Sequence, residues 1–171
     1  MTISNVQLAK QLTGKYDFPQ RYFGLPESKV GTNAWVFRRM ITNIIVGGSN
    51  EENTLDASEQ IFKLYPTCNK LINADKEILI GILNKNAIRR SKSKAEYVIG
   101  AAETIKNEFG GKVPDDRKSL ESIRGVGRHT ASIVLALGFN KPALGVDLHV
   151  RRIAKRLGIA GDKDSDLTIE K

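Results

Sequence analysis

Apolar residues in this chain recur at intervals of three and four, and no stretch alternates polar with apolar residues over the length of a strand. Glycine and proline end these periodic runs at short intervals. Gly47 and Gly48 follow the run that begins at Ala34, and Pro66 follows the next run. The pattern predicts an all-α protein whose helices are joined by short loops.

Seven main helices are predicted, and a short amphipathic helix over residues 3–13 is expected before them. The first begins at Ala34, and the other six lie within the segments SNEENTLDASEQIFKLYP, ADKEILIGILNKN, SKAEYVIGAAETIKNEFGG, PDDRKSLESI, RHTASIVLALG and DLHVRRIAKRLG. Asn53 or Thr54 is the expected N-cap of the second helix, and Pro114 is expected in the first turn of the fifth.

The charge of the chain favours a polyanionic partner. Lysine and arginine outnumber the acidic residues by 27 to 19, which gives a net charge of +8 and a pI near 9.6. Basicity that only aids solubility is the alternative. Hydrophobic residues make up 40% of the chain, which is enough to bury a core, so the composition is not that of a disordered protein.

Cys68 is the one cysteine of the chain, so an intrachain disulfide and a multi-cysteine metal site are both excluded. The first residues lack the long apolar core of a secretory signal, and no apolar run approaches the ~18 residues of a membrane span. We therefore expect an intracellular, cytoplasmic protein with no membrane partner.

The segment IRGVGRHTASIVLALGF, residues 123–139, places two glycines between two predicted helices. Gly125 and Gly127 let the backbone turn sharply, and the helix that follows offers N–H groups and a positive dipole end. Arg124 and Arg128 add charge, so the turn is suited to hold a phosphodiester backbone without reading bases. An ordinary helix connection is the alternative. A dinucleotide site is disfavoured because no strand precedes the glycines.

The segment SLESIRGVGRHTASIVLALGF, followed by ALGVDLHVRRIAKRLGI, resembles the helix-hairpin-helix (HhH-GPD) DNA glycosylases of the endonuclease III type, and the resemblance runs from Trp35 to Ala160. It implies a two-lobed fold with the active site in the cleft between the lobes. Residues 31–141 would form a central six-helix lobe that ends in the hairpin. Residues 1–30 and 142–171 would form a discontinuous second lobe. The implied partner is double-stranded DNA at the nucleoid, and a monomer is expected.

Asp147 opens the last predicted helix, where aspartate is a preferred N-cap that stabilises a helix by about 1 kcal/mol. The resemblance implies that the same residue is the catalytic carboxylate. Breaking an N-glycosidic bond builds positive charge on the sugar, which a carboxylate stabilises while it helps to activate water. The implied function is the release of a damaged or mismatched base in base excision repair, once that base has left the stack.

His129 stands where the lyase-competent members of the resembled family carry a lysine. A lysine amine forms a Schiff base with the sugar and cuts the strand by β-elimination, whereas an imidazole forms no comparable imine. A monofunctional glycosylase is therefore expected, with His129 as a catalytic-site residue that lines the pocket. The alternatives are a surface histidine without a role, a bifunctional glycosylase/lyase that uses another amine, and a non-catalytic DNA-binding module. His149 is expected to be structural or exposed.

The resemblance also implies which residues contact DNA. Hairpin contacts are expected from Arg124, Gly125, Val126, Gly127, Arg128 and Thr130. The loop GGSNEEN would fill the gap left by the extruded base, with Glu51, or Asn50 in a shifted register, in the place of the usual glutamine. Two basic clusters are either further phosphate contacts or solvated faces, and they comprise Lys85, Arg89, Arg90, Lys92 and Lys94, and Arg151, Arg152, Lys155 and Arg156.

Many members of the resembled family carry four C-terminal cysteines that hold an iron–sulfur cluster, and this chain has none there. The fold is therefore expected to lack that region, and neither a metal site nor a dissociable cofactor is predicted. The excised base stays open among uracil, mismatched thymine, oxidised pyrimidines and alkylated purines.

Overall fold

The computed structural model of the protein describes residues 29, 31–161, 164, 165 and 169. Its helices are α1 (Asn33–Val46), α2 (Glu51–Leu64), α3 (Cys68–Ile72), α4 (Lys76–Lys85), α5 (Ser91–Phe109), α6 (Arg117–Ser122), α7 (Arg128–Ile133) with a π-helical continuation (Val134–Gly138), and α8 (Leu148–Arg156). These residues contain no strand, which confirms the all-α prediction, and none of their helices is both long and apolar enough to cross a membrane. The helix predicted over residues 3–13 lies outside the described residues.

The predicted N-cap of α2 is wrong. Asn50, rather than Asn53 or Thr54, caps this helix, because its Oδ1 accepts a hydrogen bond from the N–H of Asn53 at 3.2 Å. Thr54 instead donates its hydroxyl to the carbonyl of Asn50 at 2.7 Å. The helix begins early because Glu51 and Glu52 are favoured in a first turn, where the helix dipole is positive.

One other predicted helix start is wrong, and one short helix was missed. Asp116, and not Pro114, defines the start of α6, because its Oδ1 accepts from the N–H of Ser119 at 2.9 Å. Helix α3, which Thr67 caps, was not predicted, because its five residues are too few to show a helical period. Local hydrogen bonds therefore decided boundaries that apolar spacing left open.

Helix α1 lies at the centre of the core, packed against α2, α5, and α7 with its π-helical continuation. Met40, Ile41 and Ile45 of α1 are fully buried. Helix α5 also packs against α3 and α4, and α6 packs against α7, so one core extends from Trp35 to Leu135. The division of the chain into two lobes stays a prediction, because residues 1–28 and most of residues 162–171 lie outside the described part.

The turn between α6 and α7 is tight and is packed on one side. The N–H of Val126 donates to the carbonyl of Ile123 at 2.9 Å, and both side chains are buried. Gly125 has φ +83°, and a Cβ placed on it would lie 2.7 Å from Cβ of Tyr97. Gly127 has φ −94°, and apart from its chain neighbours no described heavy atom lies within 4 Å of an added Cβ. The backbone conformation and close packing at position 125 therefore favour glycine, whereas the backbone at Gly127 is accessible from outside the turn.

Gly125→Ala is expected to lower the free energy of unfolding by about 1–3 kcal/mol, because alanine is strained at positive φ and its methyl group would meet Tyr97. Gly127→Ala is the matched control, and its expected loss is below ~1 kcal/mol because any residue adopts its φ. Urea unfolding followed by circular dichroism measures both variants. Equal losses would contradict the different roles of the two glycines.

Leu83→Ala is expected to lower the free energy of unfolding by about 2–5 kcal/mol, because the side chain is fully buried between helices and its removal leaves a cavity. Leu64→Ala makes the same chemical change at a side chain that is 55% exposed, and its expected effect is within about 0.5 kcal/mol. The same urea titration checks both. A Leu83→Ala variant as stable as Leu64→Ala would show that α4 does not form part of the core.

Candidate functional site

Asp147 lies at the N-cap of α8, where its Oδ1 accepts a hydrogen bond from the N–H of Val150 at 2.8 Å. This bond is the main cause of a lowered pKa for the carboxyl, while partial burial acts in the opposite direction. The N–H of His149 and the charges of the His149 and His129 imidazoles lower the pKa further. The predicted capping role is confirmed, and the carboxyl is ionised at neutral pH.

The described residues engage the Asp147 carboxylate through backbone N–H groups alone, from Val150 and His149. A carboxylate has about four acceptor positions, so the cap leaves part of this capacity for another donor. A group held in this way has a restrained position and a full negative charge. It can therefore stabilise a nearby positive charge or accept a proton from water.

His129 lies in the first turn of α7 and packs against the segment that leads to Asp147. A Cβ placed on Gly145 would lie 3.0 Å from Cγ1 of Ile133 and 3.1 Å from Nδ1 of His129, so the imidazole packs closely against this glycine. Nδ1 is buried and has no hydrogen-bond partner among the described residues. Because the imidazole is close enough to lower the pKa of Asp147, the fold brings the two predicted catalytic residues into one neighbourhood.

The predicted DNA-binding residues of the hairpin divide between core and surface. Val126 is buried, so a contact at this position could come from its backbone but not from its side chain. Arg124 is exposed, and its Nη2 lies 4.0 Å from Oε2 of Glu96. Arg128 and Thr130 are partly exposed at the start of α7. The N-cap of α7 is Gly127, which offers no side-chain acceptor to the N–H groups of the first turn.

The loop Gly47–Asn50 joins α1 to α2 and leads to the two residues predicted to enter the duplex. Asn50 is exposed, but its Oδ1 is used to cap α2. Glu51 is exposed and occupies the first position of α2. A carboxylate is stabilised there by the positive end of the helix dipole. Glutamate at this position therefore has a local structural reason that does not depend on DNA.

Lys94 does not lie on the surface with the basic cluster to which its sequence neighbours assign it. Its exposed fraction is 5%, and its Nζ donates to the carbonyls of Ile45 and Gly47 and to the hydroxyl of Ser49. The sequence did hold a signal for this burial. Lys94 stands four residues before Val98, on the face of α5 that carries the buried apolar residues. The other members of its cluster, Lys85, Arg89, Arg90 and Lys92, are exposed.

A cavity of about 520 Å³ opens between α1 and α2. Its lining residues are Arg38, Asp56, Glu59, Gln60, Phe62 and Lys63. Size alone would make it a candidate ligand site. None of the predicted catalytic or DNA-binding residues lines it, however, so it is separate from the neighbourhood of Asp147 and His129.

The residues of the chain do not fit an iron–sulfur cluster, which needs several cysteine ligands. Cys68 is the single cysteine, and its Sγ donates to the carbonyl of Ala102 at 3.1 Å. Burial raises the pKa of this thiol and so favours its protonated form, while the charge of Lys106 acts in the opposite direction. Within residues 31–161 and the few described beyond them, no group of three or more histidine, cysteine or acidic side chains is arranged to hold a metal ion.

Comparison with known proteins places this geometry in a family. Residues 48–171, which include the hairpin and Asp147, match the model of the HhH-GPD superfamily base excision DNA repair proteins. Endonuclease III of Thermotoga maritima is 40% identical over 122 residues, which are 71% of this chain and 56% of that protein. Endonuclease III of Bacillus subtilis is 45% identical over 80 residues, 47% of this chain and 36% of that protein. The chain thus spans about half the length, or less, of these curated relatives.

Solved structures share the fold. A trapped endonuclease III–DNA covalent intermediate, an estranged-adenine complex, superposes with a TM-score of 0.79 at 26% identity, over 96% of this chain and 71% of the other. A thermostable thymine-DNA glycosylase superposes with a TM-score of 0.68 at 24% identity, over 86% of this chain and 62% of the other, which is a likeness of fold. The expected endonuclease III-like fold is confirmed, and the chain belongs to the HhH-GPD superfamily of base excision DNA repair proteins.

Proposed function

We propose that the protein hydrolyses the N-glycosidic bond of a damaged or mismatched base in double-stranded DNA, with Asp147 as the catalytic carboxylate. The observation that carries this proposal is an ionised carboxylate, held at the start of α8 by the N–H of Val150 at 2.8 Å and placed beside His129. Family membership supports the same reaction class. The chain spans only part of the length of its relatives, so their activity is proposed for it and does not follow from the likeness alone.

The reaction needs a negative charge next to C1′ of an extruded nucleotide. The bond from C1′ to the base nitrogen breaks with its electron pair leaving on the base, and the sugar becomes positively charged. Asp147 stabilises this charge and accepts a proton from the water whose oxygen bonds to C1′. The departing base takes up a proton from solvent, and Asp147 returns its proton to solvent, so one water is consumed. Its lowered pKa suits both roles, since the carboxyl must be ionised before the bond breaks.

The hairpin would hold the strand while the base is extruded. Gly127 exposes its backbone, and Arg124 and Arg128 bring positive charge to the same turn. Thr130, in the first turn of α7, would add a hydroxyl donor to phosphate. In this proposal Asn50 or Glu51 enters the duplex, the protein acts as a monomer, and residues 1–30 and 142–171 form the second wall of the cleft.

We further propose that the enzyme is monofunctional. His129 lies against Gly145 in the segment that leads to Asp147, and an imidazole forms no stable imine with the sugar. Lys94 has a lowered pKa of about 8, which would suit an amine nucleophile, but its Nζ is buried and bonded to three oxygens. The trapped covalent complex of the matching endonuclease III makes a lyase route the alternative to test.

Asp147→Asn is expected to slow base release by roughly 10²–10³-fold, because the amide keeps an N-cap oxygen but carries no charge. Single-turnover release is measured on duplexes that carry uracil, mismatched thymine, an oxidised pyrimidine or an alkylated purine. Affinity for the same duplexes is the control and is expected to stay within about twofold. An unchanged rate in the variant would remove Asp147 from catalysis. DNA binding without release of any base by the unmodified protein would favour the non-catalytic binding module.

The unmodified protein is expected to give no borohydride-trapped complex with abasic DNA, whereas His129→Lys is expected to give one, because it places a primary amine beside Asp147. Asn69→Lys is the control, since it introduces the same amine at an exposed position of α3, away from the hairpin and from Asp147. Gel analysis after reduction separates trapped from free protein. Efficient trapping and strand cleavage by the unmodified protein would refute the monofunctional proposal.

A further inference from the structure

The start of α5 holds the loop between α1 and α2 through a set of polar contacts. Nζ of Lys94 donates to the carbonyl of Ile45, to the carbonyl of Gly47 at 2.9 Å and to Oγ of Ser49 at 3.1 Å. The backbone N–H of Arg89 donates to the same Oγ at 3.0 Å. Residues forty or more positions apart in sequence are thereby joined at the end of α1.

Lys94 is held there without a carboxylate partner among the described residues. Burial lowers its pKa to about 8, and the charges of Arg90 and Arg89 act in the same direction. The compensating groups are the carbonyls that the end of α1 leaves without helical partners, together with the negative end of that helix dipole. Burying a charge in this way is costly, and the hydrogen bonds to these carbonyls offset part of that cost.

The loop itself has little packing to fix its shape. A Cβ placed on Gly47 or on Gly48 would have no described neighbour within 4 Å, and Gly48 has φ +72°. The N–H of Ser49 donates to the carbonyl of Val46 at 2.6 Å, which closes the turn locally. The direction in which the loop leaves α1 therefore depends on hydrogen bonds, and Lys94 supplies most of those that come from another helix.

We propose that Lys94 is a positioning residue for the reaction, and that it holds the Gly47–Asn50 loop in the conformation that presents Asn50 and Glu51 to the duplex. This inference rests on the proposed function. It assigns the lysine a task distinct from phosphate binding, since its Nζ is buried. Loss of its hydrogen bonds should weaken the step in which the base is extruded while the affinity for DNA, which the hairpin and surface cations provide, is kept.

The charge state of Lys94 gives this anchor a characteristic pH dependence. A protonated amine offers three N–H donors to its three acceptors, and a neutral amine offers two, so the loop loosens as the pH rises through about 8. Arg90 and Arg89 are the charged groups that act on Lys94.

The free energy of unfolding has the opposite pH dependence. The pKa of Lys94 in the folded protein lies below the usual 10.5, so between pH 8 and 10.5 the unfolded chain binds more protons at this group. The contribution of Lys94 to stability therefore rises with pH in this range. Local loosening can therefore be told apart from unfolding.

The test uses Lys94→Met, which keeps the bulk and removes the donors, and Lys106→Met, which removes an exposed charge from the same helix. Amide hydrogen exchange at Ser49, whose N–H donates to the carbonyl of Val46, is measured by NMR without DNA, and single-turnover base release and DNA affinity are measured with it. In Lys94→Met, exchange is expected to rise and base release to fall by about tenfold or more each, with affinity within about twofold. Lys106→Met is expected to change none of the three.

Lys94→Arg and the pH profile separate positioning from simple structural support. In the unmodified protein, loop exchange, corrected for intrinsic base catalysis with a surface amide of α5, is expected to rise through pH 8. Lys94→Arg stays charged, and where it folds this rise should vanish and base release should be partly rescued. Should both variants fail to fold, Ser49→Ala, which removes the hydroxyl that accepts from Lys94 and from Arg89, is measured in the same way, and unchanged loop exchange and base release in it overturn the proposal.

The remaining outcomes are equally decisive. Unchanged loop exchange in folded Lys94→Met overturns the anchor, and faster exchange with unchanged base release overturns its part in the reaction. Base release and affinity that fall together by the same factor would assign Lys94 to DNA binding and would also overturn it. If the unmodified protein releases no base, the proposed function fails and the part of Lys94 in the reaction fails with it. The exchange data, measured without DNA, still establish whether the anchor exists.

Discussion

The packing of α1 against α5 is the constraint on which both candidate DNA-contacting features depend. The hairpin turn packs against both helices. Gly125 lies so close to Tyr97 of α5 and Ile44 of α1 that a Cβ placed on it would lie within 3.3 Å of each side chain. At the same end of α1, Lys94 of α5 bonds to the terminal carbonyls and so fixes the loop before α2. Since a close-packed core permits few arrangements, the loop and the hairpin are held at a fixed relative position. Two sequence segments about eighty residues apart thereby form one surface.

Two charged side chains, Lys94 and Asp147, are each held at a helix end whose dipole has the opposite sign. The carbonyls at the C-terminal end of α1 accept from the ammonium of Lys94, and the N–H groups at the N-terminal end of α8 donate to the carboxylate of Asp147. Each charge is restrained by backbone groups whose positions the helix sets. For Asp147 this makes capping and catalysis compatible, because the bond that orients the carboxylate also keeps it ionised. His129 of α7 packs against Gly145, which lies in the segment that leads to Asp147.

Much of the fold was predictable, because its signals are local. The glycine end of α1 is an example, since Gly47 is its C-cap and Gly48 has φ +72°, as the two glycines after this run predicted. The cap at Asp147 is another. Predictions were wrong where two local signals compete. Asn50 and Asn53 are both good caps, and only the observed bond between them shows that the first caps α2. Lys94 lies among cations along the chain but faces the core in space, and net charge was the stronger signal in its segment.

The sequence by itself determined the helical class, the hairpin, the likeness to a glycosylase family and the residue types available for chemistry. Each of these depends on residues within about one helix of each other, where spacing and backbone preference suffice. Only the tertiary structure decided that His129 lies beside Asp147, that Val126 is turned into the core and that Lys94 ends on the carbonyls of α1. These facts join segments that are distant along the chain. They follow from how the helices pack, which no local pattern specifies.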